Sequence, residues 1–219
     1  MKLTVTTFLS LDGVMQAPGG PDEDRSHGFP HGGWLVPYAD QDMGRIVVDW
    51  IAAADSFLLG RKTYEIFAAH WPHVTAENDP VATKLNSLPK YVASRTLSKV
   101  EWNNSTLIKG DVAEEVAKLK RRPGRELQVH GSGELAQTLM QHGLVDEYRL
   151  WFYPVVLGSG KRLFPDGSVA TALRLVDTKT TSMGVVVNSY QPAGKVKHGS
   201  FEVDQYDSGT KALFERQGR

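Results

Sequence analysis

The amino-acid sequence predicts an α/β fold, a mostly parallel sheet with helices on both faces and antiparallel strands at its C-terminal edge. Two observations lead to this prediction. Up to Gly143, short apolar strands alternate with amphipathic helices, which is the order typical of parallel sheets. After Gly143, three long strand-like segments follow one another with no helix between them, so we expect them to pair antiparallel.

Composition limits the functions that the chain can perform. Acidic and basic residues balance at 25 each, so no excess charge favours nucleic acid or an anionic membrane as a partner. The sequence contains no cysteine, which excludes disulfides and thiolate chemistry. Met1 to Leu9 alternates like a strand rather than a signal peptide, and no apolar run approaches the ~20 residues of a membrane span. We therefore expect a soluble, cytoplasmic protein.

The first elements are a strand, a long loop and a helix. Lys2 to Leu9 is the strand, and Asp12 to Pro37 is a Gly/Pro/Asp-rich loop long enough to serve as a lid or binding loop. Asp40 is the predicted N-cap of the helix. Its apolar residues are spaced 3, 1, 3, 1 and 3 apart, which is one helical stripe: Met43, Ile46, Val47, Trp50, Ile51 and Ala54.

The middle of the chain continues the alternation of strands and helices. The predicted strands are Ser56 to Leu59, Lys90 to Ala93, Thr106 to Ile108 and Leu127 to His130. The predicted helices are Thr63 to about Ala69, Pro80 to about Asn86, Val112 to Lys120, and one from Gly133 to near Gly143. Thr63, Asp79 and Asp111 are their expected caps, and Asp111 with Glu114 resembles a capping box.

The three segments after Gly143 are Tyr148 to Leu157, Leu173 to Thr181 and Val185 to Gln191. From Ala193 the sequence becomes polar. The interpretation is one domain over residues 1–192 and a C-terminal tail over residues 193–219, in which Ser208 to Arg219 is mobile or docked on a partner. Whether Phe201 to Tyr206 adds a strand stays open.

Three strand-to-helix junctions have a composition suited to phosphate groups. They are Gly60-Arg61-Lys62-Thr63, Ser94-Arg95-Thr96 and Gly131-Ser132-Gly133-Glu134-Leu135-Ala136. In an open parallel sheet all three lie at the carboxyl ends of strands, where ligands bind. Each alone could be an ordinary polar turn, but together they favour a dinucleotide. A Rossmann fingerprint is rejected because the third junction comes past mid-chain and leads into antiparallel strands.

Several stretches in order resemble the dihydrofolate-reductase-like superfamily, in the branch of the C-terminal reductase domain of bifunctional riboflavin-biosynthesis deaminase/reductases. They are FLSLDGVM (8–15), LLGRKTYE (58–65), PKYVASRTL (89–97), VHGSGELAQTL (129–139) and VDEYRLWFYPVVLGSGKRLF (145–164). The similarity covers about residues 2–192. It implies an NADPH-dependent oxidoreductase that acts on a small heterocyclic substrate.

The resemblance also implies a cofactor site at the three junctions. Gly60 to Thr63 would contact the pyrophosphate, and Arg61 or Lys62 the 2′-phosphate, which favours NADPH over NADH. The remaining contacts would come from Ser94, Arg95 and Thr96 at the adenosine end and from Gly131, Ser132, Gly133, Glu134 and Leu135 around the pyrophosphate.

The substrate side is less determined by the sequence. Asp12 follows the first strand at the mouth of the expected cleft, where it would orient or protonate substrate, or would simply be a turn aspartate before Gly13. Asp42 is either a pocket carboxylate or a solvated residue on the helix surface. Trp34, Tyr64 and Phe67 could stack on a planar ring or pack in the core.

The function that the resemblance implies first is reduction of 5-amino-6-(5-phosphoribosylamino)uracil, the reductase step of riboflavin synthesis. Dihydrofolate reductase activity and a nucleotide-binding module without turnover are the alternatives. The resemblance also implies a homodimer, for which Trp151 to Leu157 is a candidate seam at the sheet edge unless it is a central strand. His27 and His31 have a spacing of four residues, but they lie in a loop with no third ligand nearby, so no metal site is predicted.

Overall fold

The computed structural model describes residues 1–74 and 79–200. Eight strands are present in these ranges: β1 (Lys2–Ser10), β2 (Ala54–Gly60), β3 (Lys90–Ala93), β4 (Ser105–Ile108), β5 (Glu126–His130), β6 (Glu147–Tyr153), β7 (Leu173–Thr180) and β8 (Val186–Pro192). Five α-helices accompany them: α1 (Gln41–Ala52), α2 (Arg61–His70), α3 (Pro80–Ser87), α4 (Val112–Lys120) and α5 (Gly133–Gln141).

The strands form one sheet in the order β4-β3-β2-β5-β1-β6-β8-β7. All pairs from β4 to β6 are parallel, whereas β6–β8 and β8–β7 are antiparallel. The predicted fold class is therefore confirmed. Because the parallel strands all run in one direction, the residues that follow β2, β3 and β5 meet at one edge of the sheet.

Both faces of the parallel part are covered by helices. On one face, Leu3, Val5 and Val129 pack against Val116 of α4 and Leu139 of α5. The opposite face is covered by α1, α2 and α3, with Ile46, Ile51, Tyr64 and Leu85 among their buried residues. A parallel sheet with both faces buried needs near-continuous apolar strands, as in the SFLLG run of β2.

Three of the four predicted N-caps are confirmed. The carboxylates of Asp40, Asp79 and Asp111 accept hydrogen bonds from backbone N–H groups in the first turns of α1, α3 and α4. The distance is 2.7 Å from Asp40 to Met43 N and 2.9 Å from Asp111 to Glu114 N. The prediction for Thr63 is wrong, since α2 begins at Arg61 with Gly60 as an N-cap that has no capping side chain.

The predicted strand Tyr148 to Leu157 is too long, and its proposed place at the sheet edge is wrong. β6 ends at Tyr153, immediately before Pro154. It pairs with β1 on one side and β8 on the other, and Trp151 is fully buried. Trp151 to Leu157 is therefore not an edge seam, because the strand part of this segment is central.

The edge strand on this side is β7, which is exposed along its whole length. A bulge between Leu175 and Asp177 interrupts its pairing with β8. Arg174, Asp177 and Lys179 place charges on it. Bulges and charges are the usual features that keep an edge strand from pairing with another chain.

The long loop after β1 is packed against the domain. Phe29 and Trp34 are only 6% and 7% exposed, and Trp34 Nε1 donates to the Gln16 carbonyl at 2.8 Å. Val14 forms an isolated antiparallel bridge with Arg162, beyond β6. The aromatic residues of this loop thus form part of a core, as expected for a segment that is not disordered.

Some sequence predictions concern residues outside the described ranges. The questions about Phe201 to Tyr206 and about Ser208 to Arg219 belong to this group. Within residues 1–74 and 79–200, no helix has the length and apolarity needed to cross a membrane.

One lysine is buried completely in the core around α3. Lys90 Nζ donates to the carbonyls of Leu85 and Leu88 at 2.7 and 2.9 Å, at the end of α3 where carbonyls lack helical partners. The ammonium also lies 4.4 Å from the centre of the Trp102 ring. Burial lowers the pKa of Lys90 to about 8, so it is still mostly protonated at neutral pH. The hydrogen bonds of Lys90 hold the C-terminus of α3 against β3.

Replacing Lys90 by methionine should therefore lower the free energy of unfolding by about 2–3 kcal/mol, because it leaves buried carbonyls without a donor. Urea denaturation followed by circular dichroism measures this loss. Lys99→Met is the matched control, since Lys99 is exposed and its partner Glu101 is exposed too. Equal midpoints for the two variants would contradict the role assigned to Lys90.

Candidate functional site

Two of the three predicted junctions touch each other at the carboxyl edge of the sheet. The Gly60 N–H, at the start of α2, donates to Ser132 Oγ at 3.0 Å. Ser132 Oγ also lies 2.9 Å from Thr63 Oγ1 and 3.0 Å from the His130 carbonyl. One serine hydroxyl thus joins the N-termini of α2 and α5.

The two junctions lie close together. A Cβ atom at Gly60 would lie 3.4 Å from Cβ and Oγ of Ser132. Gly131 and Ser132 both have left-handed backbone conformations, with φ of 54° and 55°. Glycine adopts this conformation freely, and at Ser132 the hydroxyl contacts hold it. Glu134 and Leu135 follow in the first turn of α5.

The third junction lies beside the first, but its hydroxyl is used locally. Gly60 pairs with Ala93, so Ser94 follows the neighbouring strand end. Ser94 Oγ accepts from the N–H groups of Thr96 and Leu97 at 3.2 and 3.0 Å. Arg95 and Thr96 are both exposed in this turn. The Ser94 turn is therefore next to the α2–α5 junction, and within residues 1–74 and 79–200 no hydrogen bond joins the two.

A cluster of charges adjoins the start of α2. Asp24 in the long loop is contacted by Lys62 Nζ at 3.4 Å and by Lys161 Nζ at 2.5 Å. Although burial opposes it, hydrogen bonds from Lys161 and Ser26 lower the pKa of Asp24 well below its usual range. The cluster holds the long loop, α2 and the segment after β6 together.

Asp12 is fixed by backbone groups in the segment after β6. Its carboxylate accepts from the N–H groups of Leu157 and Gly158 at 3.1 and 2.8 Å, and from the Ser10 hydroxyl at 2.6 Å. These bonds, with Ser10 first among them, lower the pKa of Asp12 to about 2. A carboxyl group that is ionised at neutral pH has no proton to donate. Its predicted role in orienting substrate stays a prediction, whereas the geometry argues for an anchor of the loop.

Asp42 also has protein partners on both oxygens. Oδ1 pairs with Arg45, and Oδ2 accepts from the Ser182 N–H at 2.9 Å. Asp40 Oδ2 holds the same turn through the Ser182 hydroxyl and the Met183 N–H, at 2.8 and 3.1 Å. The two aspartates attach the β7–β8 turn to the start of α1. This arrangement does not favour Asp42 as the free carboxylate of a pterin pocket.

The predicted aromatic contacts lie in two different clusters. Trp34 packs edge-on against Tyr153, with ring centres 5.3 Å apart, on the α1 side of the sheet. Tyr64 and Phe67 belong to the cluster around α2 and α3. The Tyr64 hydroxyl accepts from the N–H groups of Glu101 and Trp102 at 2.9 and 3.0 Å, which makes it a core residue. Substrate stacking by these three rings stays a prediction.

A buried polar row crosses the α1 side of the sheet toward the α2–α5 junction. Arg149 on β6 forms a bidentate pair with Glu126 on β5 at 2.7 and 3.0 Å. Gln128 and His130 follow at alternate positions on β5, and their side chains lie 3.1 Å apart. His130 is the last residue of β5 and directly precedes Gly131. The polar row therefore ends where the glycine-rich junction begins.

The sequence model of the RibD C-terminal domain family matches residues 1–187. This chain belongs to that family. The match includes all three junctions and the polar row, and it confirms the resemblance inferred from the ordered motifs.

Individual proteins resemble this RibD C-terminal domain in sequence or in structure. The uncharacterized protein YyaP of Bacillus subtilis (strain 168) is 35% identical over 190 residues, which is 84% of this chain and 92% of YyaP. A protein from Shewanella sp. PV-4 assigned to riboflavin biosynthesis has a structure with a TM-score of 0.66 at 21% identity, covering 88% of this chain and 99% of that chain. For Enterococcus faecalis dihydrofolate reductase complexed with NADP(H), the TM-score is 0.56 at 13% identity, covering 88% of this chain and 96% of that chain. These two structures show the shared fold.

Sequence reasoning missed two parts of this RibD C-terminal domain. Lys161 and Asp24 were not selected, because their contact joins positions 137 residues apart. The polar row had a visible signal, namely polar residues at every second position in ELQVH of β5. The pairing of that row with Arg149 depends on strand order, which the sequence did not reveal.

Asp12→Asn should lower the free energy of unfolding at pH 7 by about 1–2 kcal/mol, because the amide cannot accept all three hydrogen bonds. The folded pKa of about 2 lies below the roughly 3.9 of an unfolded aspartate, so the contribution of ionised Asp12 is complete above about pH 4. It should be lost as the pH falls toward 2. Thermal unfolding at several pH values measures the difference between variant and wild type.

The exposed Asp22→Asn variant is the control for Asp12, since Asp22 lies in the same loop and, among the described residues, pairs with Arg25 at the surface. A difference for Asp12→Asn that stayed constant from pH 7 to pH 2 would show that the carboxylate charge is not what anchors the loop.

Proposed function

We propose that this protein is an NADPH-dependent oxidoreductase that reduces a small heterocyclic substrate, most like 5-amino-6-(5-phosphoribosylamino)uracil. The observation that carries the proposal is the contact of Gly60 with Ser132, which brings two helix N-termini side by side. Membership of the RibD C-terminal domain family supports the reaction class. The shared fold of dihydrofolate reductase complexed with NADP(H) supports the cofactor class.

Paired helix N-termini suit a pyrophosphate for electrostatic reasons. Each helix start carries unpaired N–H groups and about half a positive charge, so it attracts an anion. Two such starts, α2 and α5, meet at Gly60 and Ser132 and would face the two phosphates of a dinucleotide. Gly131 carries no side chain that would keep a phosphate away from the backbone. A Cβ atom at Gly133 would lie 2.9 Å from Met15 Sδ, so the glycine at that position serves packing.

Basic side chains at the same place support NADPH over NADH. Arg61 and Lys62 begin α2, and Arg95 lies on the neighbouring turn. A 2′-phosphate requires cationic partners, whereas sites for NAD usually place an acid on the ribose. Arg61 is half exposed, and among the described residues its ion-pair partner is Glu65 on its own helix, at 3.4 Å. It is free to turn toward a phosphate at little cost.

The cofactor would supply the hydride, and the protein would bind, orient and shield the reactants. The α1 side of the sheet is suited to shielding, since Phe8, Trp34, Trp50 and Trp151 form a largely buried aromatic cluster there. The loop that contains Trp34 is fastened by Asp12 and Asp24. Such a wall excludes water from a hydride-transfer site.

The alternatives make different predictions. Dihydrofolate reductase activity would need a pocket carboxylate, and Asp42 is committed to the β7–β8 turn. A module that binds nucleotide without turnover would bind NADPH and leave it unoxidised with every substrate. The homodimer and the cytoplasmic location belong to the proposal on the strength of the family resemblance alone.

Calorimetric titration with NADPH and then NADH tests the cofactor. Clear preference for NADPH supports the proposal, and absence of binding by either nucleotide contradicts it. Oxidation of bound NADPH is then followed at its absorbance band with the aminouracil and with dihydrofolate. Turnover of the aminouracil supports the reductase, and binding without oxidation favours the non-catalytic module.

Arg61→Ala should weaken NADPH binding by about 1.5–3 kcal/mol and leave NADH binding nearly unchanged, because only NADPH offers the 2′-phosphate. Calorimetry of both nucleotides measures the difference. Lys118→Ala is the control, since it removes an exposed basic residue on α4, on the other face of the sheet. Equal weakening of NADPH and NADH would remove Arg61 from the 2′-phosphate site.

A further inference from the structure

The buried polar row determines which nitrogen of His130 carries a proton. The row begins with the Arg149 guanidinium, which lies 5.0 Å from the centre of the Trp50 ring. It donates hydrogen bonds to both carboxylate oxygens of Glu126. Both charged partners are buried, so neither group can rotate to water.

This pair fixes the side-chain amide of Gln128. Gln128 Nε2 donates to Glu126 Oε2 at 2.7 Å and to the Trp50 carbonyl at 2.6 Å. Both of these oxygens can only accept, so the NH₂ group must face them. Gln128 Oε1 therefore points to the other side, toward His130.

Gln128 Oε1 in turn fixes the imidazole. It lies 3.1 Å from His130 Nε2 and can only accept, so Nε2 carries the hydrogen. Burial, with a contribution from the Arg149 charge, lowers the pKa of His130 to about 4. The imidazole is therefore neutral at neutral pH, and Nδ1 carries a lone pair.

His130 directly precedes Gly131 in the junction of the proposed site. His130 ends β5 and is half-buried next to Phe57, with ring centres 5.8 Å apart. Within the described part of the chain, His130 Nδ1 has no hydrogen-bond partner, whereas Nε2 has Gln128. A side chain with one hydrogen-bond donor would be enough to bind Gln128 Oε1. Histidine also provides an acceptor, Nδ1, on the same rigid ring.

We propose that His130 Nδ1 accepts a hydrogen bond from an N–H group of the heterocycle bound at this edge. The donor belongs either to the carboxamide of the nicotinamide ring or to the substrate ring, and the chemistry recognised is the same. The proposal rests on the proposed function. It makes His130 a binding residue and Gln128 the positioning residue that selects its tautomer.

Nitrogen-15 NMR of the histidines tests both halves of the proposal. In the free protein, His130 should show one protonated nitrogen, Nε2, and one unprotonated nitrogen, Nδ1. Titration with NADPH, followed by the aminouracil, should shift the Nδ1 resonance at one of the two additions. A shift with NADPH alone identifies the carboxamide, and a shift only at the second addition identifies the substrate. Binding of both without any shift overturns the proposal.

Two substitutions separate the acceptor from the contact with Gln128. His130→Gln keeps a donor near Gln128 but has no acceptor at the position of Nδ1, and should weaken binding of the recognised ligand about tenfold. His130→Asn places an amide oxygen near the position of Nδ1 and should retain most of the affinity. Affinity for NADPH and for the aminouracil is measured by calorimetry, with thermal unfolding to verify that each variant is folded.

The outcomes also distinguish this inference from the proposed function. If the wild type binds neither NADPH nor the aminouracil, the proposed function fails. If the wild type binds them and His130→Gln binds them equally well, only the role of His130 fails. Loss with His130→Gln that His130→Asn restores supports the acceptor.

Discussion

The parallel pairing of β2, β5, β1 and β6 is the constraint on which the rest of the molecule depends. Parallel strands need crossover helices, and these bury both faces of the sheet. The same pairing brings every strand-to-helix junction to one edge. Gly60 and Ser132 are 72 positions apart in sequence, yet the order β2-β5 makes them neighbours. The candidate site is thus a consequence of strand order.

The two faces of this sheet differ in chemistry. The face under α4 and α5 is apolar, whereas the face under α1 carries Glu126, Gln128 and Arg149 in its interior. Burying a charged pair gains little over an apolar pair, but removing one partner costs about 3–5 kcal/mol. The main effect of the buried polar row is therefore to fix the orientation of each side chain in it, and its contribution to stability is smaller. The row ends at His130, next to the candidate site.

The sequence predicted those features that depend on neighbours along the chain. Asp40, Asp79 and Asp111 were identified as caps because a cap binds N–H groups two or three residues away. Thr63 failed because its hydroxyl meets Ser132, from a distant segment. The place of β6, at the edge or in the centre, stayed open for a related reason, since its β8 partners lie 34 to 42 positions further along the chain. The junctions were found by composition, but their contact and the alignment of Gln128 with Arg149 required the strand order.

The exposed β7 strand has a consequence for local opening. In the sheet, β7 pairs with β8 alone, and all of its residues are exposed. Little packing therefore protects its backbone amides, so β7 belongs to the part of the domain that opens most readily. The β7–β8 turn is also the partner of Asp40 and Asp42 at the start of α1. When this hairpin frays, both carboxylates lose partners there, and the first turn of α1 becomes more accessible to solvent. Opening of the β7–β8 hairpin, which amide hydrogen exchange reports, therefore also changes the environment of the Asp40 and Asp42 carboxylates at the start of α1.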